Sequence, residues 1–255
     1  MNYEIEITRR CNFRCPSCNH ICDIVRDPTS DMTYEDLASV VNQINAVDRS
    51  PGRIIVIGGE PTLHSECVGF CKYIKDHILG EGGEFFLDTN FSNPDVNSKC
   101  EALGFAILDY KGSRDPEVLR QRKANEHFNI YLSPKVEHIP ADSPSQCRVL
   151  NGIYGGWTCG ISIHRFRGSI RWCWCSGGSS LCKLLQHEEF LFGTLKELLQ
   201  SDVGLFRKTI CPHCMYLANN RIYARDSVGR VSSCFTAGLE AMKAYNDEVN
   251  KVQQP

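Results

Sequence analysis

Residues 3–20 read YEIEITRRCNFRCPSCNH. From Tyr3 to Arg9 apolar and polar residues alternate, the pattern of a half-buried strand. A loop then carries Cys11, Cys15 and Cys18 in a C-x3-C-x2-C spacing. Three thiolates on one short loop can hold three irons of a [4Fe–4S] cluster and leave the fourth iron without a protein ligand. Structural zinc normally has all four positions filled by protein, usually from two separated pairs of ligands. Cys22 offers a fourth sulfur that would close the site, so the spacing leaves both open.

Working outward, strand-like runs recur at RIIVIGG (Arg53 to Gly59), EFFLDTN (Glu84 to Asn90), FAILDYK (Phe105 to Lys111) and NIYLSPK (Asn129 to Lys135). Helical patterns separate them. One starts at Thr33, a good N-cap, with Leu37, Val40, Val41 and Ile44 at helical spacing. The next follows Pro61 and carries Cys67, Phe70, Cys71 and Ile74 on one stripe, where the two cysteines read as core residues, as does Cys100. Another follows Asp115-Pro116. This alternation predicts an α/β fold with a parallel sheet and helices on its outer side. In such folds function gathers just past the C-terminal ends of strands, which is where the cysteine loop lies.

The bulk properties narrow the class. The chain has 255 residues and a net charge of −2. Its charges are well mixed, which disfavours nucleic acid or an anionic membrane as partner. No apolar run approaches the roughly 18 residues that span a bilayer, and the opening residues lack the apolar core of a signal peptide. A cytoplasmic location is therefore expected. Fifteen cysteines in such a chain point to metal or cluster ligation rather than disulfides.

The segment RIIVIGGEPTLH (53–64) follows the cysteine loop by about forty residues. Together, Cys11, Cys15, Cys18 and Gly58-Gly59-Glu60-Pro61 resemble the radical S-adenosylmethionine enzymes. The resemblance implies that S-adenosylmethionine chelates the open iron and that Gly58, Gly59 and Glu60 contact its methionine group. Glycines allow close backbone approach, and carbonyls with a carboxylate suit an ammonium donor. By the same resemblance Asn90 and Ser133, at later strand ends, are candidate S-adenosylmethionine contacts. Five strands rather than six imply an abbreviated, partial βα barrel over residues 1–140. Ser17 stands where the family often has an aromatic residue.

After a Pro-, Ser- and Gly-rich linker (138–156), TCGISIHRFRGSIRWCWC (158–175) alternates on both sides of Arg167-Gly168, the signature of a β-hairpin. LFGTLKELLQ (191–200) reads as a helix, CPHC (211–214) is a C-x2-C, and a last helix runs from about Thr236 to Val252. Cys159, Cys173, Cys211 and Cys214 make a four-sulfur set suited to zinc or an iron–sulfur cluster, with Cys147 and Cys175 as substitutes. The order of these features resembles the twitch part of SPASM/twitch extensions, nearest to the 2-deoxy-scyllo-inosamine dehydrogenase type. That implies a small cysteine-rich hairpin/helix domain over residues 141–255 and a second, auxiliary [4Fe–4S] cluster.

The implied chemistry is reductive cleavage of S-adenosylmethionine to a 5′-deoxyadenosyl radical, which abstracts hydrogen from a small polar, sugar- or cyclitol-like substrate. The auxiliary cluster then accepts an electron, making the enzyme a dehydrogenase, with flavodoxin or ferredoxin as electron donor. One rival is a radical epimerase with Cys234 as hydrogen donor. Another is a peptide-modifying enzyme, set back by the absence of a segment before the first strand. A molybdopterin-type cyclase ranks lower because the chain ends in VQQP without a glycine-rich tail. An iron–sulfur electron carrier or redox sensor is the rival of another class, in which Gly58-Gly59-Glu60 has no task.

Overall fold

The structure is a computed structural model that describes residues 1–12, 20, 22, 27, 29–80, 83–108 and 160–210. In chain order these form β1 (Asn2–Glu6), α1 (Tyr34–Val47), β2 (Arg53–Ile57), α2 (Cys67–His77), β3 (Glu84–Asp88), α3 (Pro94–Ala102) and β4 (Ala106–Leu108). There follow β5 (Ile161–Phe166), β6 (Ser169–Cys173), α4 (Ser176–Leu184), α5 (Leu195–Gln200) and α6 (Val203–Thr209). The strands make one sheet of order β4-β3-β2-β1-β5-β6. β1 to β5 are parallel to their neighbours and β6 returns antiparallel to β5. An α/β architecture is therefore present. The expected strand at 129–135, the helix after Asp115 and the last helix lie outside the described residues.

The central strands β1, β2 and β5 are buried on both faces, as parallel strands are. On the outer face Tyr3, Ile5, Ile54, Val56, Leu87, Ile161 and Ile163 pack on the apolar stripes of α1 and α2 in one core. Thr33 caps α1 with a capping box: its hydroxyl accepts from the Asp36 N–H, and the Asp36 carboxylate accepts from the Thr33 N–H. α3 was not expected, although Asn93-Pro94 is an N-cap followed by a first-turn proline.

The inner face changes character across the sheet. Ile55, Ile57 and Phe86 make it apolar at β2 and β3. Glu4, Glu6, Ser162 and His164, all buried, make it polar at β1 and β5. Glu4 is level with Ser162 and Glu6 with His164. Over this polar half lies α4, all of whose residues are buried. The Ser176 hydroxyl donates to the Glu4 carboxylate, and the Ser179 hydroxyl bonds the His164 ring at 3.1 Å.

The hairpin turns at Arg167 and Gly168 with φ of 49° and 77°, a two-residue turn of the kind whose twist suits paired strands. β5 pairs with β1 in the same sheet as the N-terminal strands, a join that sequence periodicity does not encode.

Candidate functional site

The chain leaving β1 continues beside the end of β2. Ile7 N–H donates to Ile57 O, Gly59 N–H to Thr8 O at 2.9 Å, and Glu60 N–H to Arg10 O at 2.7 Å. A Cβ on Gly58 would stand 2.5 Å from Thr8 O, and one on Gly59 would stand 2.4 Å from Arg10 O. The two glycines are thus demanded by the backbone that delivers Cys11, which is half-buried at the end of this run. Thr8 and Arg10 are held in turn by Asp31, through a hydroxyl bond of 2.5 Å and an ion pair of 2.8 Å.

Glu60 is fully buried. One carboxylate oxygen accepts from the N–H and hydroxyl of Thr62 and from the hydroxyl of Thr89; the other accepts from the Asn90 N–H at 2.6 Å. Asn90 then donates through Nδ2 to Asn12 Oδ1 at 2.8 Å. The ends of β1, β2 and β3 are thereby tied into one polar knot at the C-terminal edge of the sheet. It gathers Cys11, Gly58, Gly59, Glu60 and Asn90. Cys15, Cys18 and Ser133 lie outside the described residues.

The hairpin tip reaches the same edge. Arg167 N–H donates to the Asp27 carboxylate and Gly168 N–H to the Thr29 hydroxyl, each at 3.0 Å. Cys173 is elsewhere. It pairs with Ser162, which is level with Glu4, so it stands seven positions before Cys11 along the direction of β1.

Cys173 is fully buried. Burial alone would raise its pKa, but hydrogen bonds from the Cys182 thiol and from the backbone around Cys175 and Trp174 hold it below the ordinary thiol value. Cys175 is the N-cap of α4, its sulfur accepting from the Gly178 N–H at 3.2 Å. Cys182 on α4 thus joins Cys173, a contact that only the helix packing creates. Cys147, Cys159, Cys211, Cys214 and Cys234 lie outside the described residues.

Between the two ends runs a buried charged layer that sequence reading missed. Arg9 makes a two-oxygen ion pair with Glu6, at 2.9 and 3.2 Å, and also donates to His20 O. His20 Nδ1 lies 2.8 Å from Glu6. Lys183 Nζ approaches Glu6 at 4.0 Å and, among the described residues, has no hydrogen-bond partner. Burial opposes ionisation of Glu6, yet Arg9, Lys183 and His20 hold its carboxyl well below the usual range. Burial, reinforced by Arg9, pushes the Lys183 ammonium down to about 7. Burial also keeps His164 neutral, well below its usual value, with Lys183 adding to the effect. The signal in the sequence was Glu4 and Glu6, two acidic residues on one face of β1. Of the other histidines, His64 is occupied at both ring nitrogens, by Met32 O and the Glu66 N–H.

This arrangement offers one polar edge with a thiol, a buried charged layer beneath it and a second thiol group at the far end. Residues 5–110 match the Radical SAM superfamily. The match covers the strand, the cysteine loop and Gly58-Gly59-Glu60, and it supports a radical S-adenosylmethionine domain, which implies S-adenosylmethionine and a [4Fe–4S] cluster. The chain is also similar to curated proteins named GTP 3′,8-cyclase. One from Campylobacter jejuni subsp. jejuni serotype O:6 is 26% identical over 158 residues, covering 61% of this chain and 42% of the relative. Those from Campylobacter curvus and Nautilia profundicola are 25% and 23% identical over 161 residues, covering 62% of this chain and 44% of each relative. The matched segment thus spans less than half the length of these relatives. These matches do not support the expected dehydrogenase type; these relatives are named as cyclases, the class ranked low on sequence features. Among the described residues no helix is long and apolar enough to cross a membrane.

Proposed function

We propose that this chain is a radical S-adenosylmethionine enzyme that removes a hydrogen atom from a small polar substrate and oxidises it. In this reading residues 1–140 form the partial barrel and residues 141–255 the twitch domain. Cys11, Cys15 and Cys18 would hold the first [4Fe–4S] cluster, and Gly58, Gly59, Glu60, Asn90 and Ser133 the S-adenosylmethionine. Cys159, Cys173, Cys211 and Cys214 would hold the auxiliary cluster. When bound, these groups supply a 5′-deoxyadenosyl radical for hydrogen abstraction and an acceptor for the electron left on the substrate.

The observation that carries the reading is the docking of the Thr8–Arg10 backbone, which leads to Cys11, onto Gly58-Gly59, with Glu60 and Asn90 knotting the same edge. The donor set suits both groups: a half-buried thiol for iron, and backbone and amide polar atoms for an amino acid head group. The chain's own part is positional. The knot fixes the ends of three strands against each other, and the Glu6–Arg9–His20 layer gives the site a buried polar floor. Reconstituted protein, incubated anaerobically with S-adenosylmethionine and dithionite, is expected to release 5′-deoxyadenosine, and Cys11→Ala to abolish it. A fully reconstituted wild type that releases none would favour an electron carrier or sensor instead.

A second reading is cyclisation of a purine nucleotide, favoured by the similarity to GTP 3′,8-cyclases. Adding GTP to the same incubation separates the two. A cyclised nucleotide product supports the second reading, and unchanged GTP supports the first.

A further inference from the structure

Outside the site just described, three buried thiols converge. Cys67 and Cys71 are one turn apart on α2, and Cys100 faces them from α3. Their sulfurs all lie within 4.8 Å of one another, with Cys71 and Cys100 in contact at 3.7 Å. Each residue is at most 1% exposed. Phe70, Ile74 and Phe105 belong to the same apolar core, and the Glu60 carboxylate is near enough to oppose ionisation of Cys67. Among the described residues no histidine or carboxylate atom joins the group. Packing as small apolar side chains would explain three buried cysteines. It does not require sulfurs from two helices to meet at one point.

The geometry points to a three-sulfur site, Cys67–Cys71–Cys100, for a trivalent thiophilic ion, with arsenic(III) as its ligand. Soft thiolates select soft ions, and the apolar core selects by charge. Zinc(II) or copper(I) on three thiolates would leave a net negative charge in a dry core, which is costly, and zinc would also lack its fourth ligand. Arsenic(III) needs three sulfurs and forms a neutral complex with them. The exchange balances without an oxidant. Arsenous acid gives up three hydroxyls, three S–H protons leave with them as three waters, and three As–S bonds form. Arsenic keeps its oxidation state throughout. Occupation would clamp α2 to α3.

Cluster-loaded protein is treated anaerobically with arsenite, and its melting temperature is compared with those of Cys67→Ala, Cys71→Ala and Cys100→Ala treated alike. A ligand that binds only the folded state stabilises it, so the wild type is expected to gain several degrees and each variant to lose that gain. Equal gains in wild type and variants would overturn the site. Where a variant does not fold, mass spectrometry of proteolysed, arsenite-treated wild type decides. One arsenic linking the peptide of Cys67 and Cys71 to that of Cys100 supports the site. Arsenic on other cysteines alone, or zinc bound to the three thiols in preference to arsenic, overturns it.

Discussion

Glu60 shows what a single side chain does here. Its two oxygens accept from four donors on Thr62, Thr89 and Asn90. Replacing one oxygen by an amide turns an acceptor into a donor facing donors. Glu60→Gln is therefore expected to cost on the order of 3 kcal/mol, read from urea unfolding; an unchanged midpoint would sink the account of the knot. Lys183 gives a prediction about pH. Its folded pKa is about 7 against an ordinary 10.5, so between these values the unfolded chain binds more protons than the folded one. Stability contributed by this group must then rise as pH goes from about 7 to 10.5. Lys183→Met should flatten that rise, and urea midpoints at intervals across the window test it. Parallel curves for the two proteins would contradict the assignment.

At the scale of elements, glycines separate two kinds of constraint. Gly168 has φ of 77° with nothing within 4 Å of a built Cβ. Gly168→Ala should cost only the backbone strain of the turn, about 1 kcal/mol. A Cβ on Gly59 would instead collide with the carbonyls of Arg9 and Arg10. Gly59→Ala must displace the run that carries Cys11, so it is expected to reduce 5′-deoxyadenosine release at least tenfold, whereas Gly168→Ala leaves it near wild type. Comparable activities in the two variants would refute the docking argument. Several element features were readable beforehand because they are local. Thr33 caps α1 through neighbouring atoms, and Arg167-Gly168 sets a two-residue turn. α4 escaped notice because SGGSSLCKL has poor helix propensity; burial against the polar inner face holds it.

For the whole molecule, the decisive feature is the pairing of β5 with β1. It sets Cys11 and Cys173 at opposite ends of one sheet, with Glu6, Arg9 and Lys183 between them. If Cys173 ligates an auxiliary cluster, Cys173→Ala should lower iron by about four per chain while 5′-deoxyadenosine release persists, because Cys11 follows the opposite end of β1 from the strand position level with Cys173. Unchanged iron, or zinc in its place, would remove the auxiliary cluster from the proposal. The Radical SAM match itself stops at residue 110, so this test addresses the part of the chain that similarity leaves open.

The sequence by itself determined the cysteine loop, Gly58-Gly59-Glu60 and the α/β alternation. Each depends on neighbours in the chain and on the 2.0 and 3.6 residue periods of strand and helix. Only the tertiary structure decided that Gly58 and Gly59 serve the backbone of Thr8 to Arg10, and that Glu60 binds Thr89 and Asn90. It also brought Cys100 to Cys67 and Cys71, residues that read separately as core. Such contacts join segments about thirty or more residues apart, and spacing along a chain carries no information about which distant segments burial will press together.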